Sequence, residues 1–334
     1  MRPHTTARRP PPPITPVSQD MHGLRQALRS PPGTLCVIIL TSNMNRTSLA
    51  CLVLTTTAVF AGPTAPGTPP TPAYDWLSDT IAPVTNPIFF EDPAIRSEVR
   101  PVFMRHGIDN GFATGGGDVN VYALQLRYAV TDRLAIIATK DGYIDVSLDN
   151  GTDLSGWGDL SAGLKYSLID DRANQFILTP GFTFEFPTGS SEVFQGNGDG
   201  ELNLFLSAAK GWNKFHLTGN LGARLPFDGD EESSILHFSL MADYKVCRWF
   251  HPFVTMNGIT VLDEGKGLPL TTEGYELINF GSSMADGETQ IAVGGGFRSH
   301  LTDTLDLGIA WEKGVTTPRG LFDDRLTVDL IWKF

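Results

Sequence analysis

The sequence predicts an all-β protein: a transmembrane, antiparallel, up-and-down β-barrel of about 12 strands in a single domain. One observation is the chain end, Arg325-Leu-Thr-Val-Asp-Leu-Ile-Trp-Lys-Phe334. There Leu326, Val328, Leu330, Trp332 and Phe334 form an apolar face, and Arg325, Thr327, Asp329 and Lys333 form a polar one. A strand with one oily and one wet face suits a wall between lipid and water. A second observation is that runs of similar length and the same period recur from Glu98 to the end. The third is that tight connections and longer loops alternate strictly, as a barrel with turns on one rim and loops on the other requires.

The elements are taken in order. Residues 1–43 carry Arg2, Arg8, Arg9 and the run Pro10 to Pro13 without periodicity, and read as an over-extended or disordered N-terminus. Residues 44–61 read as a signal peptide, with Arg46 as its basic start, Leu49 to Phe60 as its apolar core and Val59-Phe-Ala61 as its cleavage site. Such a segment implies export through the inner membrane and, with a barrel behind it, a place in the outer membrane of a Gram-negative cell. Residues 62–94 are rich in Pro, Thr and Ala and read as a linker or periplasmic tail. If Trp76, Phe89 and Phe90 tuck into the barrel, the same segment becomes a small plug. Residues 95–334 form the barrel.

Within the barrel, strands are expected near 96–107, 118–130, 133–147, 157–169, 174–187, 200–211, 214–226, 234–246, 248–262, 288–300, 303–314 and 323–334. Each is long enough to cross a bilayer with tilt, which takes about 9 to 11 residues. The loops 108–117, 148–156, 188–199, 227–233, 263–287 and 315–322 are longer than the turns and richer in Gly and acid. Outward positions such as Leu160, Leu164, Phe182, Leu240, Leu307 and Trp311 carry no charge. A Lys or Arg there would cost roughly 2 to 4 kcal/mol at mid-bilayer, so the missing charges are informative. The terminal Trp332 and Phe334 are the candidate membrane-insertion signal, which would make the barrel-assembly machinery and outer-membrane lipids partners of the chain.

Inward positions are polar. Arg100, Arg127, Lys165, Glu185, Asn203, Arg224, Asp243, Arg298, Asp306 and Glu312 are the candidate lumen-lining residues that would set selectivity. They predict a wet interior of both signs. The same charges could instead pair with one another and brace a closed barrel. A barrel of this strand number lies between a filled eight-stranded one and an aqueous channel of sixteen to eighteen.

Composition excludes several functions. The net charge is −12, and it becomes more negative once the arginines of residues 1–61 are set aside, which makes nucleic acid an improbable partner. Of Cys36, Cys51 and Cys247, only Cys247 follows the expected cleavage site, so neither an internal disulfide nor a cysteine metal cluster is expected. The acidic loops around Asp228 to Glu232 and Asn197 to Glu201 lack the EF-hand order, and no cofactor motif is found. A lipid hydrolase is the rival class, because His216, His237 and His251 lie on strands. No serine is spaced to use one of them as a base, and there is no Gly-x-Ser-x-Gly elbow, so the chain is not expected to be an enzyme. A structural or adhesive barrel is a third class, in which the long loop 263–287 with Tyr275, Leu277, Ile278, Phe280 and Met284 would dock a partner or fold over the mouth.

Four pieces carry a family likeness: Gly156-Trp-Gly-Asp-Leu-Ser-Ala-Gly-Leu-Lys-Tyr166, Pro180-Gly-Phe-Thr-Phe-Glu-Phe-Pro-Thr-Gly189, Gly198-Asp-Gly-Glu-Leu-Asn203 and Gly219-Asn-Leu-Gly222. In this order and spacing they resemble the outer-membrane family named for the MetA pathway of phenol degradation, over about residues 95–334. The resemblance implies a barrel of about a dozen strands that lets small organic solutes, aromatic or otherwise hydrophobic, cross the outer membrane. It supplies no ligand residues.

Overall fold

Alternation of burial along the strands closes the sheet, with every second side chain turned inward. In the computed structural model, residues 75–317 and 319–334 are described. The expected signal peptide and the segment before it lie outside the described residues. Strand β1 (Glu98–Ile108) has the strict pattern of buried residues at every second position. It is followed by β2 (Gly117–Ala129), β3 (Leu134–Lys140), β4 (Tyr143–Leu148), β5 (Asp153–Trp157), β6 (Leu160–Tyr166), β7 (Ile169–Asp171) and β8 (Phe176–Phe186). Then come β9 (Glu201–Trp212), β10 (Phe215–Pro226), β11 (Ser234–Tyr244), β12 (His251–Asp263), β13 (Thr289–His300), β14 (Leu305–Gly314) and β15 (Asp324–Lys333).

These strands make twelve staves, because β3 continues into β4 and β5 continues through β6 into β7. Neighbours are antiparallel, and the ends meet: β1 pairs with β2 from Glu98↔Arg127 to Ile108↔Gly117, and with β15 from Glu98↔Lys333 to Gly107↔Asp324. The sheet is therefore a closed twelve-stave barrel without a free edge. Its outer surface carries Tyr128, Leu164, Phe182, Leu206, Leu240, Val254, Trp311, Leu330 and Trp332, all exposed in the isolated chain. Only lipid satisfies such a belt, and the protein is an outer-membrane β-barrel. No helix among the described residues is long and apolar enough to cross a membrane, a fact without bearing on a barrel.

The wall has a flaw that the strand periodicity did not predict. β2 pairs with β4 as far as Tyr122↔Tyr143 and with β3 only from Leu126↔Ala138, so Ala123 to Gln125 have no strand partner on that side. Asp141 accepts the Leu124 N–H through its side chain at 2.8 Å. On the other side β3 pairs with β6 as far as Lys140↔Ser161, and β4 pairs with β5 from Tyr143↔Trp157. Between those two ladders the Gly158 N–H donates to the Gly142 carbonyl at 2.8 Å. Gly142 sits at φ +110°, and a Cβ there would lie 2.4 Å from the Tyr122 carbonyl, so only glycine fits this bend. The expected loop 148–156 is also shorter than predicted, since β5 begins at Asp153.

Candidate functional site

The interior is largely occupied by the segment that precedes β1. Residues 76–94 are buried apart from Ser78, and they cross the space inside the barrel. Trp76 lies against His216 with ring centroids 6.3 Å apart. The segment turns at Asn86, which takes φ 47° and donates to the Ser239 hydroxyl at 3.2 Å. Asparagine tolerates that left-handed conformation better than most residues. Phe89 then stacks on His237 with centroids 4.4 Å apart. The chain leaves through Ser97, whose hydroxyl accepts the Ala129 N–H at the turn rim.

Backbone carbonyls of this segment are satisfied by barrel side chains, as buried peptide groups must be. Arg100 donates to Pro83 O at 2.7 Å, Arg298 to Ala82 O at 3.1 Å, and Gln125 to Pro87 O at 2.9 Å. Ser207 donates to Glu91 O and Thr179 to Pro93 O. The segment also carries its own carboxylate into the barrel. Glu91 pairs with Arg127 at 2.6 Å and with Lys165 at 2.7 Å, all three buried. Burial alone would raise the Glu91 pKa, but the adjacent Arg127 and Lys165 charges prevail and hold it down to about 2.

The candidate lumen residues all lie inside and are all paired. Arg100 and Arg298 share Asp329, the latter at 2.8 Å. Arg127 and Lys165 hold Glu91. Glu185 meets Lys140 at 2.5 Å and Arg224 at 3.4 Å, and Arg224 also meets Glu201. Asn203 accepts from His237 Nε2 through its amide oxygen at 2.7 Å, and Asp243 bonds His216 at 2.8 Å. Asp306 joins His300 to Lys333, and Glu312 joins Asn257 to Arg325. Buried charges demand such partners, because removing an ion from water costs several kcal/mol. Sequence reasoning missed Glu91, hidden in a Pro-rich stretch, and Lys140. The histidines considered as bases face this interior, not lipid.

One sector of the interior is apolar. Val102, Met104, Ile108, Val119, Val121, Ile144 and Val146, from β1, β2 and β4, form a continuous cluster with Ile88, Leu277, Ile278 and Phe280. The last three belong to the long loop, which is buried from Thr272 to Ser282 and folds inward over the mouth. Glu273 anchors it by accepting from the Ser233 hydroxyl and from the N–H groups of Phe280 and Ser282 at 2.7 to 2.8 Å. Asn279 ties it to Glu201 at 2.8 Å. Under the neighbouring segment Leu268 to Leu270 lies a chamber of about 260 Å³ walled by Ile108, Val119, Val146, Leu154, Ile278 and Phe280. It adjoins a wider vestibule of mixed lining, with Asp109, Thr317 and Arg319 beside Phe112 and Leu270.

Below the chamber the apolar sector narrows. A space of about 10 Å³ between Met104, Val121, Ile144 and Leu277 extends to Asp141 and Gly158, at the flaw in the wall. On the outer face a depression of about 580 Å³, lined by Tyr122, Leu124, Trp157 and Leu160, touches the same Ala123, Asp141 and Gly158. The apolar sector thus leads from the loop rim down to a narrow end shared with Gln125, Thr139, Lys140 and Asp141, beside the break in strand pairing at Asp141 and Gly142.

The COG4313 outer membrane channel from Pseudomonas putida F1 is similar in fold, with a TM-score of 0.51 and 19% identity over 76% of this chain and 100% of that one. The NanC porin gives 0.44 and 8% over 71% of this chain and 100% of its own. The translocator domain of the autotransporter NalP from Neisseria meningitidis gives 0.43 and 12% over 72% and 88%. No curated protein matches the sequence. The family described as "Putative MetA-pathway of phenol degradation" matches residues 109–330, and the chain belongs to that family.

Proposed function

We propose that the protein passes small hydrophobic organic molecules, aromatic ones included, across the outer membrane without energy input. The observation that carries this reading is the apolar sector. A solute taken up at the loop rim rests in the chamber beneath Leu268 to Leu270. It then descends as Val121, Ile144 and Leu277 part, since the space between them is only about 10 Å³ at rest, and leaves sideways past Gly158 into the bilayer. Polar solutes lack an equivalent path, since the rest of the interior is filled by residues 75–97 and by ion pairs that brace the wall. The lumen charges therefore act as structure that seals the bore, and the N-terminal segment acts as its plug. Arg100, Arg127, Lys165 and Arg298 serve this reading as clamps on the plug.

A hydrolase gains no support, because His216, His237 and His251 lie buried inside the barrel, the first two bonded to Asp243 and Asn203. An adhesive role gains little from the long loop, where Tyr275, Leu277, Ile278 and Phe280 turn inward and Met284 alone of the five stays exposed. The exposed C-terminal Trp332 and Phe334 are read as the signal presented to the barrel-assembly machinery. Uptake of benzene-class aromatics, alkanes and sugars by cells with and without the gene tests the proposal. Faster uptake of the first two with unchanged sugar uptake is expected, and equal gains for all three would defeat it.

A further inference from the structure

The aromatic lining of the chamber contains a residue held at a cost. Phe194 follows the short 3-10 turn Ser191–Val193 and adopts φ 57°, ψ 39°. A bulky L-residue in this left-handed region is destabilised by the clash of its Cβ with the backbone, and glycine or asparagine is the usual occupant after a helical turn. Strain of this kind persists only where the surroundings fix it. Here they do. Val193 is buried in the apolar cluster, the next residue Gln195 donates to the Leu277 carbonyl at 3.1 Å, and Asp159 accepts the Gly196 N–H at 3.0 Å.

Burial does not repay the strain. Tyr275, the other aromatic residue at positive φ, is 1% exposed and stacks on Phe322, whereas Phe194 remains 39% exposed. What its ring does is line the chamber. It stands edge to face against Phe280, centroids 5.5 Å apart at 84°. Phe112 lies on Phe280 from another side, centroids 6.2 Å apart at 28°. All three rings line the same cavity, which offers a guest both ring faces and ring edges. Aromatic guests gain from such geometry beyond the area they bury, and saturated guests do not. A cavity of about 150 Å³ is enough to hold benzene, so this chamber has room for one substituted ring.

We propose that Phe194 is a specificity-determining residue whose ring, with those of Phe112 and Phe280, makes the chamber prefer an aromatic ring over a saturated ring of the same skeleton. This rests on the chamber being the solute site of the proposed transport. The test uses benzyl alcohol and cyclohexylmethanol, titrated into the detergent-solubilised full chain and followed by ligand-detected NMR against a detergent blank. The wild type should bind benzyl alcohol more tightly. Phe194→Leu should keep cyclohexylmethanol binding and reduce the aromatic preference about fivefold, the scale of one aromatic contact. Phe194→Gly should do the same without lowering the unfolding temperature, because glycine relieves the backbone strain. Should Phe194→Gly fail to fold, Phe194→Leu decides alone. An unchanged preference in Phe194→Leu, or equal binding of both alcohols by the wild type, overturns this role and leaves the transport reading standing. Binding of neither alcohol by the wild type overturns both.

Discussion

Replacing Glu91 by Gln should loosen the N-terminal segment from the barrel. The carboxylate is 2% exposed and bridges Arg127 and Lys165. Removing one member of a buried ion pair costs about 3 to 5 kcal/mol, because the partner is left uncompensated. Part of the loss is softened here. Arg127 keeps Gln125 at 3.2 Å and Glu98 at 3.7 Å, and Lys165 keeps the carbonyls of Asp92 and Ala94 at 2.7 and 2.8 Å. The lower end, about 3 kcal/mol, is therefore expected, equivalent to roughly a hundredfold rise in the population with the segment withdrawn. The assay is the rate at which a cysteine at Ile88, a buried plug position, reacts with a membrane-impermeant maleimide. It is made in a Cys247→Ser background, because Cys247 is free and exposed. A rate within twofold of the parent would refute the reasoning and assign the hold to packing of Trp76, Phe89 and Phe90.

Three further expectations concern pH and assembly. Because Glu91 is held down to about 2, its contribution is present above its ordinary pKa near 4.5 and disappears as pH falls toward 2, so a nitroxide attached to the same cysteine at Ile88 should become mobile over that window, and a flat profile would contradict it. Glu232 has the opposite sign. Its Oε2 has no hydrogen-bond partner, and burial, countered by Arg224 and Lys140 and reinforced by Glu185 and Asp159, pushes its pKa up to about 7. The loop 227–233 that carries it also grips the long inward loop through Ser233. Protection of 272–282 against hydrogen exchange, taken relative to the intrinsic rate at each pH, should accordingly be greatest below pH 4.5, fall between about 4.5 and 7, and level off above, with Glu232→Gln abolishing the fall. Removing Phe334 should reduce the folded, heat-modifiable fraction in outer membranes severalfold, and an unchanged fraction would end its role as an insertion signal.

The staves were legible because lipid outside and polar groups inside impose period two, and a single charge on the wrong face is costly. Leu160, Leu240 and Trp311 read as outward for that reason, and Arg100 and Arg298 as inward. The apolar half of the interior was not legible. The inside was identified by its polar residues, so Val119, Val121, Ile144 and Val146 gave no sign of facing a chamber. Glu91 was invisible for a different reason: its segment has the composition of a tail, and what orders it is a set of distant barrel side chains. The flaw in the wall did leave a trace, since Gly142 and Gly158 interrupt predicted strands where glycine marks a bend or close approach.

Gly158→Phe, reconstituted in proteoliposomes beside Gly158→Ala, tests the lateral apolar route most directly. A Cβ at this position would meet the Gly142 carbonyl at 3.5 Å and Ile144 at 3.7 Å, ordinary contacts, so Gly158→Ala should fold as the wild type does, and the ring of Gly158→Phe, in whatever fraction is folded by heat-modifiability, blocks the opening. Toluene flux should fall to about the level of protein-free vesicles and arabinose flux should stay where it was. Wild-type toluene flux in folded Gly158→Phe would contradict the account.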